Sequence, residues 1–493
     1  LYLDIEPWKT ASRRADSHWR AMVKANPRVY SAKDSFNTYW IAVQLIVVMR
    51  DLGAWKYFMG QEGHPGPGVM ATLPELAEMS RGGIRTHRER ARELCPRLER
   101  RLFAYMKLWK RMFPKVKFSS NPQLGKLLYK KWGLPVVRNK EDGISVDELA
   151  LVKCQAYVRD NREDTLIPGA WQTDPTSVPR TFDLMLKMRK VSKMLSTYVQ
   201  PVLLGDSTWV HPSYLPASKD DERGGKKMDN KGTTATGRLA SYKPNIQNQM
   251  KDEIAGWTVR DLYVPDTDDM CFVQADYKSA ELYVLAGMSG DRRLLADLAG
   301  DLHQRNADRL GVSRKVAKNV TYASQYLASP NKQSEMILEQ EHFYISPFEC
   351  RTISEGIWSY YTDATAYKEL LVEMCNTKKY IVNPFGRTRF FHSGRAPAAV
   401  DFIPQSVVAD ILWCVLKPVA EMARSLGGRL VTTVHDSILI CVPKRRVKKA
   451  AKLMKAIMEK RFDCVRPGFY IPVSVEAGAP GASWGELEEL EVA

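Results

Sequence analysis

Ten residues, Val431-Thr432-Thr433-Val434-His435-Asp436-Ser437-Ile438-Leu439-Ile440, constrain this chain more than any others. Two β-branched runs flank a His-Asp pair, which is the pattern of a tight hairpin with the pair at its turn. An acid there contributes little to packing and is well placed to hold a metal. A second apolar run, Cys271-Phe272-Val273-Gln274-Ala275-Asp276, also ends in an acid, 160 positions upstream. Folding has to bring Asp276 and Asp436 together if they share a task. Two carboxylates about 4 Å apart repel by roughly 4 kcal/mol at an effective dielectric near 20. Such a pair calls for divalent cations, as in two-metal phosphoryl transfer. Oxygen ligands and a phosphate substrate favour Mg²⁺. The alternative for Asp276 is a cap on the helix that follows it, where Ala280, Val284 and Gly287 have helical spacing.

Charge narrows the partners. The formal net charge is +17. Residues 81–140 hold 18 Lys and Arg against three acids (Glu89, Glu93, Glu99). A field focused in this way suits a polyanion, the alternative being a solvated helix face. The eight cysteines form no C-x-x-C pair, which argues against zinc knuckles and disulfide scaffolds and for a reducing compartment. The most apolar window, Trp40 to Met49, is about half a membrane span, so no segment is expected to cross a bilayer. No signal peptide is evident. At 493 residues, two to four domains or subdomains are expected.

The basic region reads as helix from about 84 to 113, with Leu94, Leu98, Leu102, Tyr105, Trp109 and Met112 at three- and four-residue steps. Pro96 is expected to kink or split it, and Pro114 to end it. Further helices are expected at Pro122–Trp132 and from about Thr181 to Tyr198, and a loop at Lys219–Lys231. Ser313 can N-cap a helix on which Arg314, Lys318, Tyr322 and Tyr326 follow at steps of four. They form one stripe about 18 Å long, cations first and aromatics after. Such a stripe suits a triphosphate and a base, or equally a cationic turn followed by core tyrosines. Thr233-Thr234-Ala235-Thr236-Gly237-Arg238 and Pro244-Asn245-Ile246-Gln247-Asn248 supply donors for minor-groove acceptors, or a hydrogen-bonded loop.

Together these segments resemble the DNA polymerase I family (family A DNA polymerases). The likeness rests on T-A-T-G-R-L at 234–239, D-Y-x-x-x-E-L at 276–282, R-x-x-x-K-x-x-x-Y-x-x-x-Y at 314–326 and V-H-D at 434–436, in that order. Weaker matches are Lys193 before Ser196-Thr197-Tyr198, Asp301-Leu302-His303, Pro384-Phe385-Gly386-Arg387, Pro404-Gln405-Ser406 and Val475-Glu476 with Trp484.

The resemblance implies an α+β right-hand polymerase fold with palm, fingers and thumb. Residues 1–62 would be a remnant of a 3′–5′ exonuclease domain, since Asp4-Ile5-Glu6 and Tyr30–Asp34 lie too close together to hold a complete one. Residues 63–200 would open the polymerase domain and form the basic helical thumb. Residues 201–290 and 401–493 would make the palm, and 291–400 the fingers. The activity implied is template-directed addition of deoxynucleotides to a primer, without proofreading by this chain. Asp276 and Asp436, with Tyr277, would hold two Mg²⁺ ions, Mn²⁺ being a substitute. Arg314, Lys318 and His303 would bind the incoming phosphates and Tyr322 would stack near the nascent pair. Glu281 with Tyr326 would exclude a ribose 2′-hydroxyl. Arg238, Gln405, His435, Lys193, Asn245 and Gln247 would contact DNA. The partners implied are primer-template DNA and deoxynucleoside triphosphates, the chain acting as a monomer with a processivity factor as a further partner. No membrane is involved, and the setting is the cytoplasm of a bacterial host or a phage-infected cell. Two rivals are a single-subunit RNA polymerase and a catalytically weak DNA-binding protein. The sequence departs from the family at Ser437, where Glu is usual, and at Ala323 and Leu327, where glycines are usual. Tyr322 in place of Phe implies ready acceptance of dideoxynucleotides.

Overall fold

The computed structural model describes residues 68–139, 142–160, 177–215, 236–250, 252–341, 343–391 and 396–492, with Tyr39, Ile46, Val47, Met49, Arg50, Met59 and Gly60. The exonuclease-like residues, the apolar window from Trp40 as a whole, the Lys219–Lys231 loop and Thr233–Ala235 lie outside them.

Helix α1 (Gly68–Gly82) leads into the short strand β1 (Ile84–Thr86) and the long basic helix α2 (Arg88–Met112). Its buried residues include Leu94, Leu98 and Trp109, on the expected apolar stripe. Of the two outcomes expected for Pro96, a kink or a split, the split does not occur. A proline removes one backbone donor, and the 25-residue helix keeps the rest of its ladder on either side. The Pro96 carbonyl is taken up by Arg100 Nε at 3.3 Å. Phe113 caps the helix before Pro114, as expected. The stretch expected around Pro122–Trp132 is a short α-helix followed by a π-helical turn, Lys126–Lys131. Helices α3 (Glu148–Asp160) and α4 (Ser177–Lys193) follow, and α4 continues through a π turn to Leu204. Strands β2 (Trp209–Val210) and β3 (Tyr263–Val264) flank β1 in a small antiparallel sheet.

The central sheet begins with β4 (Met270–Tyr277), which runs into α5 (Ala280–Ser289). Six helices then build one layered body: α6 (Arg292–Leu298), α7 (Leu302–Leu310), α8 (Arg314–Ser324), α9 (Pro330–Glu341), α10 (Pro347–Tyr360) and α11 (Thr362–Thr377). Ser313 caps α8 by accepting the Val316 N–H, and Asp301 caps α7 by accepting that of Gln304. Their core centres on Leu285, Leu294, Val320, Ile357 and Tyr361. Helix α12 (Ala396–Ser425) returns the chain to the sheet, followed by β5 (Arg429–Val434), β6 (Ser437–Pro443), α13 (Val447–Met458), β7 (Val473–Ala477) and β8 (Glu488–Glu489). Strand order is β8-β7-β4-β6-β5, antiparallel throughout. The fold is therefore α+β, as expected.

The sheet buries both faces. Val273, Ala275, Ile438, Ile440, Val473 and Val475 pack with α12 and α13. Phe272, Leu439 and Cys441 face the opposite way, toward Ile84, Leu94 and Trp484. This period-2 alternation puts Gln274 and Asp276 on the second face. One expectation fails here: α12 is long and apolar enough to cross a membrane, although no such segment was foreseen. Its apolar window is 89% buried within the protein, so it is the central core helix. A fourth core, around Trp109, Leu128, Trp132 and Phe182, includes Leu338 of α9. Lys153 of α3 and Glu335 of α9 pair at 2.6 Å beside it.

Candidate active site

The hairpin turn comes first because its shape is forced. Ser437 pairs with Val434, so His435 and Asp436 are its two loop residues. His435 has φ +55°. A positive φ at the first loop residue alone matches a type II′ turn, in which glycine is usual and any other residue is strained. Ser437 donates its hydroxyl to the Val434 carbonyl at 2.9 Å, tying the turn shut. The departure from Glu at 437 thus replaces a carboxylate by an internal cross-link.

Strand register sets the rest. Asp276 lies directly opposite Ser437 on one side and Ser474 on the other. Opposed residues in antiparallel pairs have Cα atoms about 4.5–5.5 Å apart. Asp436 is the next residue along, and both carboxylates line one cavity of about 530 Å³. Asp276 does not cap α5, whose N-cap is Ser279 at φ +45°. The cavity also takes in Gln247, His435, Arg260 and Glu476. Gln247 is buried and donates to the Thr433 carbonyl at 3.2 Å. Arg260 lies over the Trp484 ring at 4.6 Å. Trp484 in turn donates to Gln274 at 2.7 Å, and Gln274 to Glu476 at 3.3 Å. Burial lowers the Arg260 pKa, and the charges of Glu476 and Asp276 oppose that.

The donor set suits a hard cation. Asp276 and Asp436 offer carboxylate oxygens, with Glu476 in the same cavity, and no cysteine lines it. Among the described residues no group of three His, Cys, Asp or Glu side chains is clustered as a self-sufficient metal site. Further oxygens would have to come from substrate and water. The Tyr277 side chain is not a ligand, because its hydroxyl is buried and donates to the Met458 carbonyl at 2.8 Å. Of Tyr277, the main-chain carbonyl remains as a donor.

A second cluster sits at α5 and α8. Arg314 donates Nε to Asp301 at 2.7 Å, holding the Asp301 carboxyl below its usual range. His303 is buried, and its Nδ1 has no hydrogen-bond partner. Burial first and Arg314 second push its pKa down to about 4, and Lys318 adds to the effect. The imidazole is therefore neutral at pH 7, within the electrostatic reach of Arg314 and Lys318. Its ring centroid is 5.3 Å from that of Tyr322. Tyr322 is hydrogen-bonded with Ser279 and feels the charges of Glu281 and Asp436, so it links the two clusters. Burial is the main reason its pKa is raised. Glu281 accepts from both Arg238 and the Tyr326 hydroxyl. Gln405 donates to Asp401. The Asp401 carboxyl is raised to about 6, by burial first and then by Glu281.

Gly237 explains part of the 234–239 motif. It has φ +81°, and a Cβ there would lie 2.1 Å from the Arg387 guanidinium. Arg387 donates to Asp410 through NH2 at 2.8 Å. Asn383 reaches the same carboxylate at 2.7 Å. The Pro384–Arg387 match is therefore a buried clamp beneath the chain that presents Arg238. Asn245 and Lys193 do not line the cavity. The Asn245 side-chain oxygen accepts from the Gln247 and Asn248 N–H groups at 3.1 and 3.0 Å, closing an Asx turn. Lys193 is exposed at the end of α4. The sequence reading missed Arg260, Ser279, Asp401 and the place of Glu476 in the cavity. Alternation along Val473-Ser474-Val475-Glu476 held the signal for Glu476, since the valines face α12 and α13. The isolated Arg260 gave none.

The family described as "DNA polymerase family A" matches residues 88–486. The thermostable DNA polymerase I of Thermus filiformis is 27% identical over 375 residues, covering 71% of this chain and 42% of its own length. DNA polymerase I of Bacillus subtilis (strain 168) is 25% identical over 442 residues, covering 83% of this chain and 44% of its own. The chain spans less than half the length of these relatives. The POL domain of Pol1 from M. smegmatis, solved in complex with DNA primer-template and dNTP, superposes with a TM-score of 0.71 at 20% identity. That match covers 90% of this chain and 73% of the other, and shows a common right-hand polymerase fold.

Proposed function

Because the chain belongs to DNA polymerase family A, we propose that it extends a DNA primer along a template, using deoxynucleoside triphosphates. The observation that carries the reading is the cavity shared by Asp276 and Asp436, to which α8 is linked through Tyr322; the helix carries Arg314, Lys318 and Tyr322 and ends at Ser324, so Tyr326, expected on the same helix, lies just past its end. Asp276 and Asp436 would hold Mg²⁺, whose chemistry at this site would be charge neutralisation of the phosphates and activation of the attacking hydroxyl. Mn²⁺ can substitute. Arg314 and Lys318 neutralise the triphosphate, while His303 donates a proton-bearing nitrogen without adding charge. Tyr322 packs on the incoming base. Glu281, held between Arg238 and Tyr326, fills the space a 2′-hydroxyl would need. Gln247, Gln405 and His435 contact the primer-template, with Asn245 and Lys193 as outlying DNA contacts.

The subdomain division belongs to the same reading. A palm from 201–290 and 401–493 is supported by β4, β5, β6 and β7 forming one sheet. Fingers at 291–400 are supported by the core shared among α6 to α11. A thumb within 63–200 is supported by the basic helix α2. The relatives named are bacterial, which is consistent with work in the cytoplasm of a bacterial host or an infected cell. Monomeric action and a processivity factor remain parts of the proposal.

Primer extension with Mg²⁺ tests it, comparing the wild type with Asp276→Ala and deoxy- with ribonucleotides. Deoxynucleotide extension that Asp276→Ala abolishes is expected. Preference for ribonucleotides would favour an RNA polymerase, and binding without extension a DNA-binding protein.

A further inference from the structure

Behind α8 lies a cavity of about 640 Å³ whose lining includes none of the residues assigned above to the metal or the nucleotide. Ser324, the last residue of α8, accepts the Trp358 indole N–H there at 2.8 Å. Leu327, Pro330, Trp358 and Val372 give the cavity apolar walls. Its volume is in the range of small-molecule sites.

Lys368 of α11 also lines this cavity, although it is only 3% exposed. Lysine is almost never so buried without a counter-charge. Its Nζ sits 3.1 Å from the centroid of the Trp358 ring, and among the described residues no carboxylate pairs with it. The other charged groups lining the cavity are Arg351 and Glu355 of α10 and Glu369 of α11. An ammonium here loses its hydration and gains a ring face in return. Burial lowers the pKa to about 7. A large share of the amine is then unprotonated at neutral pH, where an ordinary lysine is roughly 0.04% unprotonated. An unprotonated amine in an apolar pocket is the condition for nucleophilic lysine chemistry.

We propose that Lys368 and this cavity form a reversible covalent site for an aldehyde with an apolar body. The Nζ lone pair attacks the carbonyl carbon and the C=O π pair moves to oxygen, giving a carbinolamine. One proton passes from the nitrogen to that oxygen in the carbinolamine and the nitrogen's second proton leaves with it as water, so that a C=N bond joins the ligand to Lys368. No oxidant or reductant is consumed, and water reverses the step. The ligand's apolar body packs against Trp358 and Leu327. Because Trp358 is bonded to the end of α8, occupancy restrains the helix that carries Arg314, Lys318 and Tyr322. This last consequence rests on the polymerase reading, whereas adduct formation does not.

The test uses benzaldehyde as probe at pH 7.5, with borohydride to trap the adduct and peptide mass mapping to locate it. Lys368 is expected to be modified at least tenfold more than the average surface lysine, and primer extension to fall in step with its occupancy. Lys368→Met, which fills the same space with an unbranched apolar chain, is expected to keep basal extension and lose both the adduct and the inhibition. Modification spread evenly over surface lysines would overturn the proposal, as would equal inhibition of Lys368→Met. The distribution of label within the wild-type protein decides the matter even if the variant folds poorly.

Discussion

Removing the Glu281 carboxylate separates two effects that the geometry joins. Glu281 and Arg238 are 22% and 23% exposed, and the Tyr326 hydroxyl completes the trio. Hydrogen bonds to a charged group contribute about 1.5–3 kcal/mol, and their loss leaves Arg238 and Tyr326 without this partner. Glu281→Ala should therefore destabilise the fold by about 2–3 kcal/mol, a fall in Tm of a few degrees for a chain of this size. Forcing an extra group into a packed wall costs about 1–3 kcal/mol, a factor of roughly 5–150 in rate. Opening that wall should erase most of the discrimination against ribonucleotides. The assay is kcat/KM for a matched deoxy- and ribonucleotide, in the wild type, Glu281→Ala and Glu281→Gln. Gln keeps the bulk and an acceptor for Tyr326, so its ratio should stay near that of the wild type while its Tm falls. If Glu281→Ala lowers Tm with the sugar ratio unchanged, the trio is structural and the account of the gate is wrong.

Three further outcomes follow from the same geometry. Asp401 binds its proton more tightly in the fold than in the unfolded chain, so its contribution to stability is greatest below its unfolded pKa near 4 and is lost as pH rises through about 6; Asp401→Asn should raise Tm at pH 8 and not at pH 3.5, and equal shifts at both would contradict this. Leu338 is 7% exposed in the α2–α4 core whereas Lys153 and Glu335 are 29% and 39% exposed, so Leu338→Ala should cost about 2–3 kcal/mol and Lys153→Ala at most about 1 kcal/mol; calorimetry giving equal losses would reverse that ranking. Tyr322→Phe removes the hydrogen bond with Ser279 and should sharpen discrimination against dideoxynucleotides in a chain-termination assay, an unchanged ratio refuting the role assigned to the hydroxyl.

The parts of this protein that were legible in its sequence are those where one local rule decides the structure. The apolar run ending in Asp276 marked β4, and the His-Asp pair between β-branched runs marked the hairpin of β5 and β6. Ser313 capped its helix as a Ser before a periodic run should. Where tertiary packing outweighs a local rule, the reading fell short. Pro96 sits inside an unbroken helix, because Leu94, Leu98 and Trp109 bury the same stripe on both sides of it. Helix α12 was missed as a long apolar segment because Asp401, Asp410, Lys417, Glu421 and Arg424 interrupt its sequence. Asp410 among them is buried against Arg387, a partner 23 residues away. The site was half legible. Asp276, Asp436, Glu281 and the α8 stripe are ordered motifs, whereas Arg260 and Asp401 become site residues through the sheet register and helix packing that surround them.

The central claim is that Asp276 and Asp436 bind divalent ions in common. Mn²⁺ titration followed by electron paramagnetic resonance tests it most directly, on a complex of the protein with dideoxy-terminated primer-template and the next dNTP. Two tightly bound ions per complex are predicted for the wild type, and at most one for either Asp276→Ala or Asp436→Ala. Two ions retained in both variants would mean that these carboxylates are not the metal ligands.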